Sequence, residues 1–290
     1  MSKLFVFGMG YSALAIAKQA QPDFTAIVGT ARSEEKLHKL QADGFLAQQF
    51  AGDSFSDDLA SELRDTTHLL ISIAPGDNDP VLATLPQPVF SICPNLNWIG
   101  YLSTVGVYGN HDGAWVDEDT PPRPVSKRSI ERVRAENAWQ VIANEAKIPL
   151  GIFRLSGIYG PGRNAFITIE KGNSRRLVKP GQVFNRIHRD DIATAVSSAI
   201  KNNTGGVFNI TDNEPAPPQD VVAYAHELMG IEPPPEIDFE TADLSPMARS
   251  FYGENKRVSN AKSKSELSIH YQWPDYRTSL KRMWEEGSWR

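Results

Sequence analysis

Two glycines and an alanine near the start of the chain have the spacing of a phosphate cradle. Residues Gly8-Met9-Gly10-Tyr11-Ser12-Ala13 spell G-x-G-x-x-A. In that pattern a strand turns tightly into a helix whose first N–H groups face a pyrophosphate. Gly8 permits the turn, Gly10 lets the backbone approach the phosphates, and Ala13 is small enough for the helix to pack on the strand. Tyr11 and Ser12 contribute N–H groups at the positive end of the helix dipole. A second group, Thr30, Arg32 and Ser33, falls where an acidic residue would bond a ribose 2′-hydroxyl. A cation and two hydroxyls suit a 2′-phosphate instead, so this loop predicts NADP in preference to NAD.

These residues need elements that hold them. Lys3 to Phe7 is a mostly apolar run suited to a strand buried on both faces. Further strand patterns fall at Phe24 to Val28, Phe45 to Phe50, His68 to Ala74, Ile99 to Ser103, Leu150 to Leu155 and Val207 to Ile210. Helical patterns alternate with them at Leu14 to Ala20, Glu34 to Ala42, Ser56 to Arg64 and Ser129 to Glu145. Ser56 has the type and place of an N-cap. Asn110 to Pro124, with Gly, Asp and three prolines, reads as a surface loop. Alternation of strand and helix predicts an α/β fold, a doubly wound parallel sheet of about seven strands. Prolines break the last third into short pieces around helices at Val221 to Met229 and Tyr276 to Glu286. That region reads as a smaller lobe beside the sheet.

The chain has 290 residues, 40% hydrophobic and 22% charged, with a formal net charge of -5. An acidic chain of this kind is a poor partner for nucleic acid or an anionic membrane. No stretch approaches the roughly 20 apolar residues of a membrane span, and the start shows no signal-peptide pattern. Cys93 is the single cysteine, so no intrachain disulfide and no multi-cysteine zinc site can form. With no base partner in view it reads as structural. A reducing cytoplasm is the expected location, and no metal is expected.

Four further segments carry a family resemblance. They are Leu102-Ser103-Thr104-Val105-Gly106-Val107-Tyr108-Gly109, Arg154 to Arg163 with its Tyr159-Gly160-Pro161-Gly162, Ile187-His188-Arg189-Asp190-Asp191-Ile192-Ala193, and Val207 to Asp212. With the glycine turn they resemble, in order, the motifs of the extended and atypical short-chain dehydrogenase/reductases, the NAD-dependent epimerase/dehydratase family. The resemblance implies an NAD(P)-binding Rossmann domain in residues 1–163 and 184–212. It implies a substrate lobe in 164–183 and 213–290. It also implies a small-molecule substrate such as a nucleotide sugar, and it is compatible with a homodimer. Asp53 matches the aspartate that meets the adenine, Ala74 lines the nicotinamide-side ribose, and Thr104 stands for the catalytic Ser/Thr.

The chain departs from the family at two places: its glycine turn is one residue shorter than the usual G-x-x-G-x-x-G, and the catalytic Tyr and Lys are replaced. Counting back from Glu136 puts Arg128 where the catalytic Tyr belongs and Arg132 where its Lys belongs. A guanidinium does not deprotonate in a protein, so Arg128 cannot act as the acid, although it can clamp a phosphate or carboxylate. Arg132 can still reach the ribose. Replacement acids are sought among Tyr108, Tyr159, His188 and Lys127. Packing for the two tyrosines, helix capping beside His188 and solvation for Lys127 are the simpler roles. Two functions stay open: an NADP-dependent oxidoreductase or epimerase, and a non-catalytic NADP-binding sensor or scaffold.

Overall fold

The computed structural model describes residues 2–290, with Met247 described by its backbone alone. Seven strands form the central sheet: β1 (Lys3–Phe7), β2 (Ala26–Ala31), β3 (Leu46–Gln49), β4 (His68–Ile71), β5 (Trp98–Thr104), β6 (Leu150–Leu155) and β7 (Gly206–Ile210). Their order is β7-β6-β5-β4-β1-β2-β3, and every neighbouring pair is parallel. The order reverses between β1 and β4. That opens a crevice at the carboxyl ends of the strands, where ligands of such sheets bind.

The side chains of β1 show why both faces are covered. Leu4 and Val6 point to one face, where helices α1 (Tyr11–Ala20) and α5 (Arg189–Lys201) pack through Ile16, Ala17, Val196 and Ile200. Phe5 and Phe7 point to the other, against Leu59 and Leu63 of α3 (Asp57–Leu63); farther along that face Ala135 and Trp139 of α4 (Lys127–Ala146) cover the sheet. Helix α2 (Glu34–Ala42) follows β2. A separate apolar cluster joins Phe166, α6 (Pro218–Met229) and α7 (Tyr276–Glu285) through Val221, Ala225, Tyr276, Leu280 and Met283. Short parallel strand pairs, Gly157–Tyr159 with Arg186–His188 and Arg176–Val178 with Glu236–Asp238, lie outside the main sheet.

Several boundaries differ from the sequence expectation for local reasons. Strand β2 runs through Gly29 to Ala31 instead of ending at Val28. A Cβ on Gly29 would lie 2.5 Å from Met9 Cε, so the glycine is a strand residue made bare to admit Met9. Helix α4 starts at Lys127, earlier than expected, because the Ser126 hydroxyl accepts from Ser129 N. Ser56 caps α3 as expected, accepting from Leu59 N. Within the expected surface loop, Trp115–Val116 pairs with Arg257–Val258, so the C-terminal segment straps that loop down. Among the described residues no helix is long and apolar enough to cross a membrane.

Candidate active site

The turn after β1 is built as a cradle. Gly8 has φ +83°, in the left-handed region that only glycine enters at low cost, and a Cβ there would lie 2.6 Å from Ile73 Cγ1. The Gly8 N–H donates to Thr30 Oγ1 at 2.8 Å and the Met9 N–H to the Thr30 carbonyl at 2.9 Å. Thr30 is therefore a buried brace for the turn. This corrects its expected role as a hydroxyl offered to a 2′-phosphate. Around Gly10, a Cβ would meet nothing nearer than 4.0 Å. Helix α1 has no side-chain cap, so the N–H groups of Tyr11, Ser12 and Ala13 have no intrahelical acceptor. An open approach over Gly10 onto three free donors fits the pyrophosphate of a dinucleotide. Arg32 and Ser33 are exposed just past β2, and Asp53 is exposed past β3.

Tyr11 links this turn to the Tyr-Gly-Pro-Gly segment. Its hydroxyl donates to the Pro161 carbonyl at 2.9 Å, and the Arg189 guanidinium lies 4.9 Å from its ring centroid. Gly160 makes the approach possible, since a Cβ there would be 2.8 Å from Tyr11 Oη.

Beyond the ends of β4 and β5 lies a cavity of about 830 Å³. Ala74, Thr104, Arg128, Arg132 and Tyr159 all line it, so five residues expected from the sequence meet around one space. Thr104 Oγ1 accepts from Gly106 N at 3.1 Å, and its own proton remains available to a ligand. Arg132 bonds the Leu102 carbonyl and the Tyr101 hydroxyl. Arg128 is exposed, its guanidinium 5.6 Å from the centroid of Phe251. Tyr159 is 9% exposed; among the described residues its buried hydroxyl makes no close hydrogen bond, although Ser279 lies beside it. Burial, with help from the nearby Asp212 carboxylate, pushes its pKa well above the ordinary phenol value.

The other expected acids are engaged elsewhere. Tyr108 is fully buried and does not line the cavity. Its hydroxyl donates to Asn209 Oδ1 at 2.8 Å and accepts from Arg154 at 2.9 Å. Arg154 in turn pairs with Glu136 at 2.8 Å, and Ser103 donates to the same carboxylate at 2.5 Å. Tyr108 thus belongs to a closed network that secures the end of β5, which corrects its place among the site residues. His188 is buried and caps α5, accepting from Asp190 N through Nδ1; burial lowers its pKa to about 4. Asp191 does not cap the helix by its side chain; it accepts from Gln272 N and Trp273 N instead. Lys127 is an exposed partner of Asp77 at 2.9 Å. Cys93 is buried, with its thiol pushed up to about 12 by desolvation.

The region from residue 86 to 211 matches the family model described as NAD dependent epimerase/dehydratase family. That segment is similar to the NAD-dependent epimerases/dehydratases. It is 28% identical over 138 residues to human dTDP-D-glucose 4,6-dehydratase, a match spanning 44% of this chain and 39% of that relative. A solved protein of Silicibacter pomeroyi, described as functionally unknown and conserved, is 45% identical over the whole of both chains with a TM-score of 0.90. One from Methylobacillus flagellatus, provisionally described as an NAD-dependent epimerase/dehydratase, is 25% identical over 99% of this chain and 98% of its own, with a TM-score of 0.74.

Part of the cavity wall was not singled out from the sequence. Arg163, Arg186, Phe251, Glu254, Lys256 and Tyr276 also line it. Arg163 closes the recognised Pro-Gly segment and Arg186 precedes His188, so each had a motif beside it. Lys256 had no periodic signal. It is buried, and its Nζ donates to the Gly109 carbonyl at 2.8 Å and to Glu254 at 2.6 Å. Desolvation lowers its pKa in spite of that carboxylate.

Proposed function

We propose that this protein is an NAD(P)-dependent oxidoreductase of the epimerase/dehydratase type, acting on a nucleotide sugar or related carbonyl compound. The supporting observation is the adjacency of two spaces. An open glycine cradle with three free N–H donors lies beside a cavity with Thr104 and Ala74 on its near wall. The dinucleotide, when bound, supplies hydride acceptance and return at its nicotinamide. Gly8, Gly10, Tyr11, Ser12 and Ala13 hold its pyrophosphate, and Asp53 and Ala74 lie along its length. Arg32 and Ser33 face a 2′-phosphate, so NADP is preferred over NAD. Thr104 donates to the substrate oxygen. Residues 164–183 and 213–290 form the substrate lobe, beside a dinucleotide domain of 1–163 and 184–212.

No phenol stands at the start of α4, where Arg128 and Arg132 occupy the family's Tyr and Lys places. General acid–base help is worth about 10²–10⁴-fold. Turnover of ordinary epimerase and dehydratase substrates should therefore be slow. What remains should depend on Tyr159, a residue of the cavity wall whose hydroxyl is buried beside Ser279. The test is nicotinamide absorbance against a panel of nucleotide sugars and small carbonyls, for the wild type and Tyr159→Phe. Slow turnover abolished by Tyr159→Phe is expected. Brisk turnover indifferent to that change would overturn the assignment. The second reading, a non-catalytic NADP-binding sensor or scaffold, draws on the absence of that phenol and predicts cofactor binding with no turnover of any substrate.

A further inference from the structure

The charges facing the cavity are unbalanced. Arg128, Arg132, Arg163, Arg186 and Lys256 line it against a single carboxylate, Glu254, which Lys256 already holds at 2.6 Å. Among the described residues no carboxylate comes within ion-pair distance of Arg128, Arg132, Arg163 or Arg186. Arg186 turns to the carbonyls of Phe184 and Ala216. The Phe251 ring beside Arg128 leaves its donors free.

Position gives two of these cations a particular task. Arg128 and Arg132 stand four residues apart on α4 and so share one helix face. They open on the same cavity as Thr104 and Ala74, at the strand ends beside the crevice. A ligand that fills this end covers both guanidiniums. A neutral sugar would strip them of water and give no charge in return, which disfavours binding. A planar carboxylate matches the guanidinium fork in two parallel hydrogen bonds. Tyr276 also lines the cavity, 1% exposed, with a buried hydroxyl that has no partner among the described residues.

We infer that Arg128, with Arg132 beside it, clamps a carboxylate carried by the reacting sugar, so that the preferred substrate is a sugar acid instead of a neutral sugar. The inference rests on the dinucleotide-dependent reading above and narrows its substrate class. In that site Arg128 determines specificity and moves no proton.

The test uses the full chain with NADP present and isothermal titration with two probe pairs. These are UDP-glucuronic acid against UDP-glucose, and glucuronic acid 1-phosphate against glucose 1-phosphate. Within each pair the probes differ only at C6, a carboxylate in the acid and a hydroxymethyl group in the neutral sugar. The acid should bind about tenfold tighter or more, and Arg128→Gln should reduce that preference to about twofold or less. Arg128→Lys should restore only part of it, because an ammonium lacks the fork. Equal binding within both pairs, or a preference that survives Arg128→Gln, overturns the clamp. Binding of the sugar 1-phosphates with the acid preferred, when neither UDP sugar binds, supports the clamp and removes the nucleotide from the substrate. No binding of any of the four overturns the clamp, while NADP binding in the same cell leaves the dinucleotide reading intact.

Discussion

Two sets of arginines flank the end of β5, and the fold treats them in opposite ways. Arg154, 5% exposed, has its charge and donors answered by Glu136 and Tyr108. Arg128 and Arg132 face a cavity and, among the described residues, have no carboxylate within ion-pair distance. A charge buried during folding must be paired within the chain. A charge left unpaired around a concave space is paired by what enters it. The first is architecture and the second is proposed for recognition, although both lie near the same strand end.

The contrast breaks most visibly if Glu136 is removed. Glu136→Ala leaves Arg154 buried without its counter-charge and should cost about 3–5 kcal/mol of stability, read by urea denaturation. A loss under 1 kcal/mol would mean water reaches the pair and the network is not closed. Tyr108→Phe is milder. It removes a hydroxyl that serves both Arg154 and Asn209 and should cost about 1–3 kcal/mol, while NADP affinity stays unchanged. A loss of turnover with stability intact would return Tyr108 to the site. For the loop after β2, Arg32→Ala should weaken NADP by one to two decades, an effect of about 1–3 kcal/mol, and leave NAD unaffected. Equal affinity of the wild type for both cofactors would refute the preference. Arg128→Ala is the smallest in stability. Exposed and unpaired, it should change the unfolding free energy by less than about 0.5 kcal/mol. A larger loss would make Arg128 a structural residue.

The same contrast explains what could be read from the sequence. The sheet was legible because parallel strands buried on two faces are continuous apolar runs, as in Lys3 to Phe7 and Leu150 to Leu155. Gly29 was misread as a strand end, because its bare α-carbon serves a tertiary contact with Met9 that no local pattern encodes. The near wall of the cavity was legible because Thr104, Arg128, Arg132 and Tyr159 lie in or beside ordered motifs. The far wall was not. Lys256, Phe251 and Tyr276 come from the proline-broken last third, where only chain folding brings them to the strand ends. Tyr108 lay inside a motif but on the packed side, a direction that sequence spacing does not give.

The cradle itself can be tested apart from every question of substrate. Gly10 has open space where a side chain would go, so Gly10→Val fills the approach to the three N–H donors without touching the core. Isothermal titration of NADP into the wild type and into Gly10→Val measures this directly, with thermal unfolding of both as the control. Binding by the wild type, weakened about tenfold or more in a variant of unchanged stability, is the predicted result. Undiminished binding by a folded Gly10→Val, or no binding by the wild type, would contradict a dinucleotide seated at this turn.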